Sequence, residues 1–465
     1  MQATAQVELI PSADSYAAVE IVQVLRGAGH SAYLVGGCVR DLVLGQLPKD
    51  YDVATSAKPN DVKRLFRRVI EVGIAFGVVR VRLQAIPGEW SEVEVATFRA
   101  DGDYSDGRRP DQVRFTDAQE DVFRRDFTLN GLLLDPLVVE DGVAKPGQFG
   151  LVVDLVGGLE DLQQRRLRCI GDPRLRFGED ALRLLRAVRF AARFGFEVDR
   201  QTAQAIAELA PTLRRVSVER ITAEVTRMVT VPTAATALQL LADLGLASVL
   251  WCELLAKDPG LGKARQRAVR LANSTPPSHD QPVGLAPGPG LDLPLALASL
   301  SWPLGDWLNS EEALRTLRLS NAERQAAIAI GQCALSGLRL QELRGLPTEC
   351  RWTARLARWL RHPHADQALR LLDAAEEQPT AGAWRLARAQ WPSAKAFPPP
   401  ALNGTDLRSR GFQPGPAFKA ALAAAEDAQL EGATPGEAIA VALAVLLPAA
   451  GGGHSDLNAT CAEPT

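Results

Sequence analysis

The sequence predicts an α+β fold: a mixed-sheet N-terminal domain followed by helical domains to the C-terminus. Three observations carry this. Short strand-like runs alternate with helical patterns through residue 158. From Leu159 onward the apolar period becomes helical and stays so. Alanine, leucine and arginine abound while tyrosine (4) and methionine (2) are scarce, which favours helices over sandwiches.

Residues 14–30 read as an amphipathic helix closed by Gly27 and Gly29. Ala32–Val35 is a short apolar strand, and Val39–Leu44 is helical up to Gly45. Asp50–Ala54 reads as a strand and Pro59–Arg68 as a helix with proline at its start. Val78–Gln84 and Glu92–Phe98 alternate as strands across a Pro87-Gly88 turn. Arg99–Arg109 is polar and glycine-bearing, a loop, and strand patterning returns at Val113–Phe115 and Leu129–Leu134. Ser217–Val229 and Ala234–Ala247 are helices by period. Ser274–Leu291 and Pro392–Asn403 interrupt the helical region, a helix follows at Phe418–Gln429, and residues 449–465 read as a disordered end.

With 465 residues, roughly two to four domains are expected. A net charge of −3 argues against a broadly basic nucleic-acid binder, although not against a local basic face. Six cysteines stand singly, at 38, 169, 252, 333, 350 and 461, so neither a zinc ribbon nor a disulfide scaffold is indicated. The N-terminus lacks the pattern of a signal peptide, and no apolar run is long enough to span a membrane, so a cytoplasmic protein is expected.

Chemistry concentrates in four segments. The Gly36-Gly37 pair precedes a helical segment bearing Arg40; freed backbone N–H groups there can hold phosphate oxygens. Asp50 and Asp52, two apart in a strand-like run, project from one face and suit hard divalent cations such as Mg²⁺ and a triphosphate. Glu94, flanked by Val93 and Val95, is the third carboxylate, with Glu92 its competitor on the same face. In Arg124-Arg125-Asp126-Phe127-Thr128-Leu129-Asn130, two guanidinium groups can grip a triphosphate while Asp126 and Asn130 read ribose hydroxyls. A surface ion-pair cluster explains that segment equally well.

The fourth segment runs from Gly178 to Phe190. On a continuous helix Asp180 neighbours Arg183. Leu184, Leu185, Ala187, Val188 and Ala191 share one arc, with Arg183, Arg186, Arg189 and Arg193 opposite. An amphipathic helix with a solvated basic face is the plain explanation. The sharper one is base selection: Asp180 accepts from an exocyclic amine and Arg183 donates to an unprotonated ring nitrogen. Cytosine and adenine present that pair, whereas uracil and guanine present the reverse.

With these segments in place, the chain resembles class II tRNA nucleotidyltransferases (CCA-adding enzymes) and bacterial poly(A) polymerases, of the polymerase-β-like nucleotidyltransferase superfamily. The resemblance is dense from Tyr33 to Met228, through LVGGCVRD, the Asp50/Asp52 pair, EVATFR, RRDFTLN, GGLEDL, GEDALRLLRAVRF and VERITAE. It implies a polymerase-β-like head at 14–158, an all-α neck at 159–235, body at 236–391 and tail at 392–448. It also implies metal at Asp50 and Asp52, and triphosphate contacts at Gly37, Arg40 and Arg125. Base selection would fall to Asp180 and Arg183, with Arg186 and Arg189 near the nucleotide. The implied activity is template-independent addition of CCA to the 3′ end of tRNA from CTP and ATP. Poly(A) synthesis and CC-only or A-only addition are the alternatives.

Gly73–Val81 resembles the CCA-adding side, and the Arg99–Arg109 loop keeps the acidic and basic residues that CC-only relatives tend to lack. Many relatives carry a metal-binding HD phosphohydrolase domain in the body. Here Ser301-Trp302 stands where His-Asp would be expected, so a helical remnant without that activity is expected. His362 and His364 flank a proline and fit an ordinary loop better than a metal site. Leu402–Gly432 resembles the tail element of longer members. A non-catalytic RNA-binding protein of this fold is disfavoured because both metal carboxylates are present. A nucleotidyltransferase that modifies antibiotics or proteins would leave the long helical C-terminal half unexplained.

Overall fold

The computed structural model describes residues 3–73, 76–101, 113–140, 143–258, 261–274, 292–302, 311–342, 359–375 and 399–447. The chain divides into two compact units, Met1–Arg324 and Gln325–Thr465.

The first unit opens with β1 (Ala3–Glu8) and α1 (Ala13–Gly27). Ser12 and Ser15 cap α1 reciprocally, each side chain satisfying the other's backbone N–H. Next come β2 (Ala32–Val35), α2 (Gly37–Val43), β3 (Asp52–Thr55) and α3 (Pro59–Leu65). Strands β4 (Val69–Gly73), β5 (Val78–Ile86) and β6 (Glu89–Thr97) form a meander. The short pair β7 (Arg99–Asp101) and β8 (Val113–Phe115) precedes α4 (Ala118–Phe123) and the long hairpin of β9 (Leu133–Glu140) and β10 (Val143–Val153). Eight of these strands form one sheet, in the order β1-β10-β9-β2-β3-β6-β5-β4. Its β3–β6 pair is parallel and its other pairs are antiparallel.

Helix α1 covers one face of this sheet with Ala17, Ala18, Ile21, Val22 and Leu25, all buried. On the sheet side the partners alternate as a half-buried sheet requires: Val79, Val81, Val93 and Val95 are buried, and Arg80, Arg82, Glu92 and Glu94 point the other way.

Past the sheet, α5 (Gly158–Gln163), β11 (Arg166–Leu167), α6 (Pro173–Glu179) and α7 (Leu182–Phe194) follow. Then come β12 (Glu197–Val198), α8 (Arg200–Leu209), α9 (Val218–Val229) and α10 (Ala234–Asp243). The side-chain oxygens of Asp154 accept from the backbone N–H groups of Val156, Gly157, Gly158 and Leu159, satisfying the start of α5. A Cβ on Gly158 would lie 2.3 Å from the Thr128 carbonyl oxygen, so only glycine permits this close approach. In the second unit, Leu407, Phe418, Ala421, Ala425, Ala438 and Ala442 make a separate small core.

Several expectations shift. The strand expected at Asp50–Ala54 starts at Asp52, and Asp50 lies in the bend before it. The strand expected at Leu129–Leu134 starts at Leu133, because Thr128–Asn130 form a 3-10 turn beneath α5. Strands β4 and β10 carry no clean alternation that would have announced them, whereas β1 alternates Ala3, Ala5 and Val7 with Thr4, Gln6 and Glu8 and was not anticipated. The helix expected across Gly178–Phe190 is two helices broken at Asp180, which is extended at φ −150° and ψ 104°. An Asp carboxylate competes for nearby backbone N–H groups, and Asp180 does so here by accepting from Leu182. Most of the Arg99–Arg109 loop, the Ser274–Leu291 interruption and residues 449–465 lie outside the described residues.

Candidate active site

The site is built where β3 and β6 run side by side. Their parallel register sets Asp52 opposite Glu94. Asp50 in the preceding bend is close enough for its charge to act on Asp52. Burial, then Glu94, then Asp50 push the Asp52 carboxyl up to about 6, against a lowering by Arg125. Glu92 is occupied differently: Arg80 and Arg82 approach it at 3.3 and 4.0 Å. The register thus sets Glu94, not Glu92, beside Asp52.

The glycine turn stands directly beside these strand ends. Val35, the last residue of β2, pairs with Asp52, and Gly36 follows at φ +73°, a left-handed conformation natural to glycine. A Cβ there would meet an Arg125 Nη at 3.2 Å, so the turn and that guanidinium are neighbours. Gly37 begins α2. Arg40 is buried under the turn; it donates to Asp41 from Nε and an Nη at 2.8 and 2.6 Å, and to Asn130 at 2.8 Å. Its guanidinium also stacks on Phe194, 4.6 Å from the ring centre. Arg40, expected to meet the triphosphate, lies beneath the turn with its guanidinium paired to Asp41.

Arg124 and Arg125 are both held by Asp121, at 2.7 and 2.9 Å. Asp121 is buried in α4, and its spacing of three and four residues from the arginines is the signal that could have found it. Asp126 and Asn130, expected to read ribose, turn inward. Asn130 donates to Asp126 at 3.1 Å, and Asp126 also accepts from Phe127 N–H and from Arg186. Burial pushes the Asp126 carboxyl up, but Arg186, Asn130 and Arg183 outweigh it and hold it at about 2. Their polar groups are satisfied within the protein, so this set ties the sheet domain to α7.

On α7 the arcs fall as the period requires: Leu184, Leu185, Ala187, Val188 and Ala191 are buried, and Arg183, Arg186, Arg189 and Arg193 are not. Asp180 and Arg183 are not paired with each other. Asp180 accepts from Arg220 of α9 at 2.6 Å, while Arg183 is held by Glu179 and donates to the Arg176 carbonyl at 2.8 Å. Arg189 donates to the buried Glu224 at 2.6 Å and stacks on Phe190 at 4.3 Å. Arg220 and Glu224 escaped sequence reasoning because each acts through a partner brought in by the fold.

The second-unit histidines make local bonds: the His364 N–H donates to His362 Nδ1 at 3.2 Å, and His364 Nδ1 meets Gln367 Oε1 at 2.8 Å. In the first unit, the Ser301 hydroxyl folds back onto the Leu297 carbonyl at 2.9 Å and Trp302 is buried. Among the described residues there is no preformed group of three metal-ligating side chains, and no helix is long and apolar enough to cross a membrane.

The mixed sheet brings acidic strand ends against a glycine turn, with the arginine-bearing helix α7 beside it. Residues 32–168 match the model described as "Poly A polymerase head domain", and residues 195–257 that described as "Probable RNA and SrmB- binding site of polymerase A". The CCA-adding enzyme of Geobacillus stearothermophilus is 41% identical over 256 residues, 55% of this chain and 57% of that protein. That of Enterococcus faecalis (strain ATCC 700802 / V583) is 42% identical over 212 residues, 45% of this chain and 48% of its own. The chain thus spans about half the length of the curated relatives it matches. Among solved structures, the Bacillus stearothermophilus CCA-adding enzyme in complex with CTP superposes with a TM-score of 0.65 at 30% identity, covering 91% of this chain and 94% of that one. The Thermotoga maritima CCA-adding enzyme complexed with tRNA shares the fold at a TM-score of 0.67 and 18% identity, covering 96% and 100%. The chain belongs to the family of CCA-adding enzymes and bacterial poly(A) polymerases.

Proposed function

We propose that this chain adds CCA to the 3′ end of tRNA from CTP and ATP without a nucleic-acid template. The carrying observation is the register that sets Asp52 opposite Glu94, next to the Gly36 turn and Arg125. That geometry offers a carboxylate pair to the reacting hydroxyl and a backbone turn with a guanidinium to the phosphates. The reading is supported by the relatives, whose solved forms include complexes with CTP, ATP and tRNA.

The acidic strand ends fit a divalent cation, for which Mg²⁺ is our assignment. Asp52, Glu94 and Asp50 have no ion-pair partner among the described residues, and burial together with their mutual repulsion holds Asp52 at about 6. Such an ion would ease ionisation of the attacking hydroxyl and stabilise the leaving pyrophosphate. The chain's own residues do the rest. Arg125, fixed by Asp121, faces the turn and neutralises phosphate charge. Arg186, held by Asp126, keeps α7 and its Asp180/Arg183 end beside the sheet domain, and Arg189, held by Glu224, ties α7 to α9. Asp180 accepts the exocyclic amine of cytosine or adenine, and Arg183, released from Glu179, donates to the ring nitrogen.

The test offers tRNA lacking CCA, and tRNA ending in CC, with CTP and ATP singly and together. Products extended to a complete CCA and no further support the proposal. A stop after CC means CC-only addition, and a long ladder from ATP alone means poly(A) synthesis. Asp52→Ala should abolish incorporation while tRNA binding persists; retained turnover would sink the assignment.

A further inference from the structure

We propose that the open face of β4–β6 is a docking track for the acceptor end of the RNA substrate, with Trp90 and the arginines stacked on it as the outer anchor. The inference rests on the function proposed above and assigns it a surface. Register puts the components on one face: Asp52 stands opposite Glu94, Glu94 opposite Arg80, Arg82 opposite Glu92, and Ile70 opposite Arg80. Val79, Val81, Val93 and Val95 point to the other face and are buried. The face is therefore continuous from the reactive carboxylates to the sheet edge.

Its outer end is chemically unusual. Trp90 is 43% exposed, with the guanidinium carbons of Arg68 and Arg82 at 4.1 and 5.1 Å from its ring centre. A guanidinium stacked face-on against an indole keeps its N–H groups at its edge, where they can donate to an anion. Arg68 has no carboxylate partner among the described residues, and one glutamate, Glu92, is shared loosely by Arg80 and Arg82. Ile70 adds exposed apolar surface beside them. Arg68, Arg80 and Arg82, with Glu92 the one carboxylate they pair with among the described residues, suit an anionic partner, and an exposed indole suits a base. Glu94 lies four residues along β6 from Trp90, about 13 Å at the rise of an extended strand. The track is thus long enough to hold the strand upstream of a 3′-hydroxyl placed at the carboxylates.

The experiment uses the full chain and a tRNA transcript lacking its CCA, with Trp90→Ala and the double variant Arg68→Gln/Arg82→Gln. Each should raise the KM for RNA about fivefold or more, while the KM for CTP and the kcat at saturating RNA stay within about twofold. The double variant should also flatten the salt dependence of RNA affinity by about two ions, and Arg68→Lys/Arg82→Lys should restore most of that slope. Wild-type RNA affinity and salt slope in variants of unchanged Tm would overturn the proposal, as would an effect confined to CTP. If the wild type itself fails to extend the transcript, the function reading fails. If it extends and the variants match it, only the track fails.

Discussion

Asp126 accepts from Nε of Arg186 at 2.8 Å and from one of its Nη atoms at 2.6 Å, on a single carboxylate oxygen. The other oxygen takes the Asn130 amide and the Phe127 N–H, and Asn130 in turn accepts from Arg40 under the glycine turn. One hydrogen-bonded chain thus links the glycine turn of the sheet domain to α7.

Breaking that chain should cost stability. Asp126→Ala strands Arg186 and Asn130 and should lower unfolding free energy by roughly 2–4 kcal/mol, read by urea denaturation. The double variant with Arg186→Met should lose less than the sum of the two single changes. Because Asp126 is held down at about 2, below its ordinary 3.8, its contribution is complete above that ordinary value and is lost as pH falls through about 2. A single-variant cost that stays constant between about pH 7 and pH 2 would show that the charge is not the cause.

The register of β3 with β6 separates two glutamates that look alike in sequence. Glu94→Gln should lower kcat by roughly 100-fold, since it removes charge beside Asp52. Glu92→Gln frees Arg80 and Arg82 and should leave kcat within about threefold. Equal losses in the two variants would contradict the roles drawn from the register.

How far the sequence reached follows from physical range. Local patterns were legible: the first helix closed near Gly27, Ala32–Val35, the Pro87-Gly88 turn and the buried arc of α7 all rest on neighbours a few residues apart. Glu94 could be favoured over Glu92 only by its apolar flanks; the in-register Asp52 sits on a strand far back in the chain, and no local pattern reveals that pairing. The same limit hid Arg220 behind Asp180 and Glu224 behind Arg189. Helical spacing suggested an Asp180–Arg183 contact, but the Asp180 carboxylate took the Leu182 N–H and broke the helix there.

Asp52 carries a conflict between folding and chemistry. Its carboxyl is raised to about 6 by burial and by Glu94 and Asp50, so the folded state binds its proton more tightly than the unfolded chain does. Without divalent cations, stability should therefore fall as pH rises from about 4 to about 6. Asp52→Asn removes the buried charge. In EDTA at about pH 8 its Tm should exceed that of the wild type, with the gap shrinking at about pH 4. A variant less stable than wild type under the alkaline condition would show that the carboxylate is better paired than the geometry indicates.

Two glycines make opposite forecasts. Gly158→Ala would push a methyl against the Thr128 carbonyl at 2.3 Å and should cost about 2 kcal/mol or more. Gly178, inside α6, has open space where a methyl would stand, with no atom within 4 Å, and Gly178→Ala should stabilise by up to about 1 kcal/mol. Thermal melts of both variants decide the matter, and similar shifts would contradict the close packing at the start of α5.

Base selection supplies the sharpest forecast. Arg183 is held by Glu179 and by the Arg176 carbonyl, and Asp180 is fixed by Arg220. Uracil would set its carbonyl against the Asp180 carboxylate and its N–H against the Arg183 guanidinium, two buried mismatches at once. Arg183→Ala removes one of them along with the donor that cytosine needs. The ratio of kcat/KM for CTP to that for UTP should therefore fall roughly 100-fold, mainly through poorer use of CTP. Arg220→Gln should loosen Asp180 and lower the same ratio by a smaller factor, with the KM for tRNA unchanged. Undiminished exclusion of UTP in Arg183→Ala would mean that the base is read by other groups.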